Sequence, residues 1–421
     1  MTIEAVLSSA LGGTVVLEAG DERGEFAGLL LTMLGAEVIK LEGRQGSSSR
    51  RMGPFSKSER GGQQSLCFSR YNLGKRSMSL DLEHPAASIV RERLGRHAEI
   101  VLDSGEADDV DRRLKFYREM QKSKPRLIVC AITPFGLDGP YRDLKMTDLT
   151  QLAMGGVMAS CGYDPRADGT YDTPPIAPAM WQAYHIACEH AVLAIFAALH
   201  FRELTGQGDF IDLSIHEAVS NCTEVAMPSY IYNHAIVRRQ TGRHAAEHPT
   251  RPWLRRTNDG RYVKAFMFWS RHEARVIGEM LDEAGIEQDL NSDAHRELCE
   301  RSPSAGHSHL NALVDKLAAS MTAEELFHRA QAKGLLWAGV RVPEENIADP
   351  HFQARGTFQA LEGAETGSPL YYPASLGTDG HRPLTAFERS APHLGEHNHE
   401  VLAQLGFNTA EINTLAAKGA L

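Results

Sequence analysis

The chain has no G-x-G-x-x-G after its first apolar run, where the turn reads EAGDERGEF, so the fingerprint of a nicotinamide or flavin dinucleotide fold is missing. It has no C-x-x-C pair: its six cysteines (67, 130, 161, 188, 222 and 299) lie far apart, without ligand-like spacing to histidine, and read as reduced core thiols. It has no excess of positive charge, with a formal net charge of −10, which disfavours non-specific binding to nucleic acid or anionic membrane. No stretch reads as the roughly 18 to 20 uncharged apolar residues of a membrane span, and the amino end has no basic region of a secretory signal. A cytoplasmic protein without internal repeats is expected.

What is present is an ordinary globular composition, 42% hydrophobic and 23% charged over 421 residues, a length that calls for two domains. In the first 145 residues β-branched runs alternate with helical patterns: VVLEA, a helix over 24–35, AEVIKLE, SMSLDL, a helix from about His84, AEIVLD and LIVCAITPFG. Such alternation reads as βαβ units on a parallel sheet. The longest helical pattern, 178–204, is apolar on almost every side in its second half and ends at Thr205-Gly206-Gln207-Gly208, which predicts a buried helix. From about 225 to 325 the character changes to basic clusters, a strand KAFMFW and charge-rich helices, and from Gly339 the chain reads as a loop-rich return with turns at Asp349-Pro350, Gly380-His381 and Gly395. The expected division is 1–224 as a large domain, 225–325 as a small α/β domain and 326–421 as a return to the large one.

Two basic clusters stand near the ends of early strands: Lys40 with Arg44, Arg50 and Arg51 after AEVIKLE, and Asn72-Leu73-Gly74-Lys75-Arg76 before SMSLDL. Cations beyond the carboxyl ends of parallel strands suit a phosphate-bearing ligand. The segments that hold them, LGAEVIKLEGRQGSSSRRMGPF and NLGKRSMSLDLEHP, resemble those of the family III CoA-transferases. The resemblance continues in order through PRLIVCAITPFGLDGPYRD, TDLTQLAMGG, LAIFAALHFRELTGQGDFIDLSIHEA, NDGRYV, AGVRVPEENIADPHFQARGTF and APHLGEHNHEVLAQLGF, over about residues 15–421. It implies a Rossmann-like large domain with a parallel sheet, a smaller α/β domain, and two chains interlocked as a dimer. It also implies acyl-CoA and carboxylic acid substrates, with coenzyme A held by residues matching Lys40, Arg51, Asn72, Lys75, Arg76, Leu80 and Phe135.

The family's nucleophile is an aspartate, because a carboxylate can attack a thioester and hold the acyl group as a mixed anhydride. Counting back from AALHFRELTGQG, that position is Tyr184, a phenol and a poor acyl acceptor. Glu189 lies five residues on, about 500° around a helix, and points elsewhere. Asp148 matches the family pattern, either as an acid or as a capping carboxylate; His185 is a candidate base or a core histidine; Cys188 shares a helix face with Tyr184. The racemase branch has His-Asp where this chain has Thr147-Asp148, and the family's glycine-rich loop is reduced to Gly242 in RRQTGRHAAEHPTRP. His307-Ser308-His309 and His397-Asn398-His399 have no third ligand beside them in sequence, so no metal is expected. Three readings follow: a CoA-transferase subunit completed by a related chain, an acyl-CoA isomerase, racemase or lyase without an acyl-enzyme, or a non-catalytic CoA-binding protein.

Overall fold

The computed structural model describes residues 9–57, 63–105, 110–223, 225–268, 270–361, 370–373, 378–379, 382–383, 387 and 389–421. It divides into two compact units: residues 1–158, 177–223 and 347–421 in the first, 159–176 and 224–346 in the second.

The first unit is built on six strands, β1 (Val15–Gly20), β2 (Glu37–Glu42), β3 (Arg76–Ser79), β4 (Ile100–Ser104), β5 (Ile128–Thr133) and β6 (Phe210–Ser214). Their order is β3-β2-β1-β4-β5-β6, and every pairing is parallel. This is the doubly wound arrangement, in which the order reverses beside β1 and opens a crevice between the carboxyl ends of β1 and β4. The strands are apolar on both faces because both are covered. Val16, Val38, Ile100, Leu102 and Cys130 pack with helices α1 (Glu22–Met33) and α6 (Gln182–Thr205). Their alternating neighbours Leu17, Ile39, Val101 and Val129 pack with α3 (Ser88–His97), α4 (Val110–Ser123) and two carboxyl-terminal helices, Asn398–Gln404 and Thr409–Ala417. Between β2 and β3 lies α2 (Leu66–Tyr71), and before α6 lies α5 (Asp148–Met154).

Five of the six strands match the sequence reading; β6 lies inside a segment recognised there only as a motif. The helix at 178–204 begins later, at Gln182, and stops at Gly206, whose φ of 76° is the left-handed conformation glycine adopts freely. It is not buried on all sides. Ala183, Tyr184, Ala187, Cys188, Ala191 and Ile195 line the core, while Leu193 and Leu204 are 70% and 73% exposed, with Phe196 and Phe201 beside them. By length and composition alone α6 is apolar enough to cross a bilayer; one face is a core face and the other is left exposed among the described residues.

In the second unit Leu254–Arg256, Tyr262–Ala265 and Trp337–Gly339 form an antiparallel sheet. Helices Arg271–Glu283, Asp293–Arg301, Pro303–Ser320 and Ala323–Ala332 belong to the same unit, whose core holds Ile277, Leu281, Val314, Leu317, Leu326 and Trp337. This corrects the expected boundaries. The small unit runs to Asn346 rather than about 325, because the strand at Trp337 hydrogen-bonds to Tyr262–Ala265. It also takes in 159–176, tied by the Asp164–Arg243 ion pair at 2.5 Å and by Tyr171 donating to the Arg239 carbonyl at 3.0 Å. Residues 266–268 are not strand, so among the described residues KAFMFW pairs only through Lys264 and Ala265. Gly242 occupies the turn of the hairpin Arg238–Gln240 and Arg243–Ala246 with φ of 64°. The expected turn at Gly380-His381 lies outside the described residues.

Candidate active site

The crevice forms where β1 hands the chain to α1. Asp21 caps α1, accepting from the Arg23 N–H at 3.2 Å and from the Arg23 guanidinium at 2.8 and 2.5 Å. Gly20, with φ of 136°, and Gly24 bring this turn against Ser104 at the end of β4, and the Asp21 N–H donates to Ser104 Oγ at 3.2 Å. A side chain at either glycine would run into Ser104.

The first turn of α6 enters the same region. Asp148, the first residue of α5, accepts the Tyr184 N–H at 3.1 Å and so occupies the positive end of α6. Burial lifts the Asp148 carboxyl above its ordinary range, partly offset by the N–H groups of Tyr184 and Ala183. Tyr184 is 5% exposed, and burial, then the negative charge of Glu22, push its phenol upward, against the opposing pull of Arg23. Next to it, His185 Nε2 lies 2.7 Å from the Tyr71 hydroxyl, with Phe26 at 4.3 Å ring to ring and Trp181 stacked on Tyr71 at 5.1 Å. Burial, with Arg70, lowers the His185 pKa, and burial raises Tyr71 to about 12. Cys188 donates to the Arg23 carbonyl at 3.2 Å and its thiol is raised to about 12 by burial, so it is inert at neutral pH. Glu189 is exposed on the opposite side of α6 from Tyr184.

At neutral pH the phenols are therefore proton donors and not phenolates, His185 is a neutral base or acceptor, and Asp148 serves the helix end. No group at position 184 can take an acyl group as a carboxylate would.

The residues matched to coenzyme A binding are found in three different settings. Lys40 and Lys75 are fully buried. Lys40 Nζ sits 2.9 Å from both Glu18 and Glu25; Lys75 Nζ sits 2.6 Å from Glu18 and donates to the Glu25 carbonyl at 2.9 Å and to Asn72 Oδ1 at 3.0 Å. Their charge is neutralised inside the protein and is not free to meet a phosphate. Burial alone would raise the Glu25 carboxyl, but Lys40 and Lys75, with hydrogen bonds from Ser49 and Lys40, hold it at about 2. Arg76 is likewise buried, bonded to Glu37, Glu400 and Gln404. Leu80 and Asn72 are buried, Leu80 in the core. Only Arg51, exposed and bonded to the Gln45 carbonyl at 2.9 Å, and Phe135, packed at 5.2 Å on His216, reach the surface of the set.

Sequence reasoning passed over three site residues. Glu18 and Glu25 stand in a strand and a helix as apolar as any others, and an acid amid VVLEA is the one visible sign of a buried partner. Arg70 is the third: its Nη1 is buried without a hydrogen-bond partner, no ion pair to it is present among the described residues, and it lies 5.8 Å from the Tyr71 ring.

The whole chain has close counterparts. Residues 11–398 match the model of CoA-transferase family III. The chain is 27% identical over 410 residues to the succinyl-CoA:(R)-benzylsuccinate CoA-transferase subunit BbsE of Thauera aromatica, covering 96% of this chain and 97% of that one. It is 27% identical over 397 residues to the succinyl-CoA–L-malate CoA-transferase beta subunit of Chloroflexus aurantiacus, covering 93% of each. Among solved structures, a CAIB/BAIF family protein from Brucella suis superposes with a TM-score of 0.76 at 24% identity, over 94% of this chain and 99% of that one, a likeness of fold. The doubly wound sheet, the crevice beside β1 and a family match across nearly all of its length together establish that the chain is an enzyme belonging to CoA-transferase family III.

Proposed function

We propose that this chain is the subunit without a nucleophile in a CoA-transferase made of two related chains, the partner supplying the aspartate that attacks the thioester. The observation that carries the proposal is Tyr184: it fills the position counted for the aspartate, and its burial keeps the phenol protonated. In the partner, the carboxylate attacks the thioester to form a mixed anhydride and release CoA thiolate; the thiolate then attacks the aspartyl carbonyl, expelling the donor acid and leaving an aspartyl-CoA thioester, from which the acceptor acid gains CoA by the same two displacements in reverse. Two relatives are named as subunits, BbsE and the malate CoA-transferase beta subunit, and the alpha subunit of the latter is also similar, at 23% identity over 413 residues. The open apolar face of α6, Leu193, Phe196, Phe201 and Leu204, supports a second chain packed there, as in the interlocked dimer that the family resemblance implies.

The coenzyme A thioester lies, on this reading, at the carboxyl ends of the strands, with Arg51 and Phe135 at its surface end and the cluster of Lys40, Lys75, Glu18 and Glu25 fixing the floor beneath. Arg70, whose charge acts on His185, is the residue we assign to a substrate carboxylate. The enzyme works in the cytoplasm, where acyl-CoA thioesters are available.

The test is reconstitution with succinyl-CoA as donor. The purified chain alone is expected to transfer CoA to no acid, and to do so once mixed with a related chain that has the aspartate. Full transfer by this chain alone, unchanged in Tyr184→Phe, overturns the proposal.

A further inference from the structure

Three segments of the second unit converge on one point. Asp289 lies in the loop after Arg271–Glu283, His295 in the first turn of Asp293–Arg301, and His309 in Pro303–Ser320. Their ligand atoms all lie within 4.8 Å of one another. His309 Nε2 is 2.5 Å from Asp289 Oδ1, and the two imidazole rings are 5.5 Å apart between centroids. His295 is only 5% exposed, yet its Nδ1 has no hydrogen-bond partner, a costly arrangement for a buried polar nitrogen. Its Nε2 lies 3.5 Å from Cys299 Sγ, which orients the ring.

We propose that Asp289, His295 and His309 form a binding site for a divalent transition ion of the Zn²⁺ type, which pins the loop to the two helices. Two imidazoles and one carboxylate are a borderline-soft donor set, which suits Zn²⁺ or Co²⁺ and not Mg²⁺ or Ca²⁺. Metal bonds of roughly 2.0–2.2 Å require the donors to draw together from their present spacing, a rotamer adjustment for Asp289 and His309, which are at the surface. His295 and Cys299 also line a cavity of about 430 Å³ together with Ser292, Gly306, His307 and Leu310, which gives the ion a route in. The site is independent of the crevice chemistry, since every ligand belongs to the second unit.

The experiment is titration of the untagged, chelator-stripped chain with Co²⁺, followed by ligand-field absorption, then competition with Zn²⁺. One ion per chain is expected, with a rise in melting temperature on addition of Zn²⁺. His295→Ala and His309→Ala should each weaken binding at least roughly 10-fold, and Asp289→Asn should weaken it without altering the circular dichroism of the stripped chain. His399→Ala, an exposed histidine elsewhere, should leave binding unchanged. No ligand-field band, or equal loss in His399→Ala and His309→Ala, overturns the site as adsorption on surface histidines.

Discussion

The floor of the crevice depends on four buried charges, and removing one leaves another uncompensated. Lys75→Met takes one cation from Glu18, which stays buried, and is expected to cost about 3–5 kcal/mol of stability in urea unfolding. Adding Glu18→Gln should recover much of that loss, because the stranded charge is then gone. A Lys75→Met protein as stable as the parent would show that the pair contributes nothing. The pH dependence has a definite sign. Glu25 is held at about 2 in the folded chain against an ordinary 4.5, so its contribution is complete above about 4.5 and fades as the pH falls from there toward 2. Acid unfolding monitored by fluorescence should move to a higher pH in Lys40→Met, the variant that loses the main cation opposing Glu25.

Arg70 makes a second prediction at the same scale. A charge-assisted hydrogen bond to a carboxylate is worth about 1.5–3 kcal/mol, so Arg70→Ala should raise KM for the acceptor acid roughly 10- to 100-fold in the reconstituted enzyme. The KM for the CoA donor should change little. An unaltered KM for the acceptor acid removes Arg70 from its recognition.

Among the elements, α6 carries two roles on opposite sides. Its core side holds Tyr184 over the crevice through Asp148, while Leu193 and Leu204 face outward. Leu193→Glu with Leu204→Glu is expected to leave the isolated chain folded, since neither side chain is buried in it, and to prevent assembly, read as the mass by light scattering after size exclusion. An assembly of unchanged mass would place the partner elsewhere. The elements were also the most legible part of the sequence. Alternating β-branched runs marked five strands, because a strand covered on both faces must be apolar throughout. The face of α6 that is open was not legible, since an apolar residue awaiting a partner chain is written like one buried in its own.

For the molecule as a whole, the sequence by itself determined the fold class and the family: many collinear segments and a regular βα alternation leave little choice of topology. On the count proposed for the aspartate position, it also puts a tyrosine there, Tyr184, which no packing can turn into a carboxylate. Only the tertiary structure decided which charges are free. Glu18 and Lys75 are 57 residues apart in the chain and 2.6 Å apart in space, so whether a lysine grips a ligand or neutralises a buried acid depends on what distant segments bring beside it. The same holds for His309, whose two companions in the proposed site, Asp289 and His295, are absent from its own stretch of sequence and arrive through folding. Electrostatics inside a protein follow distance in space, and a sequence records only distance along the chain.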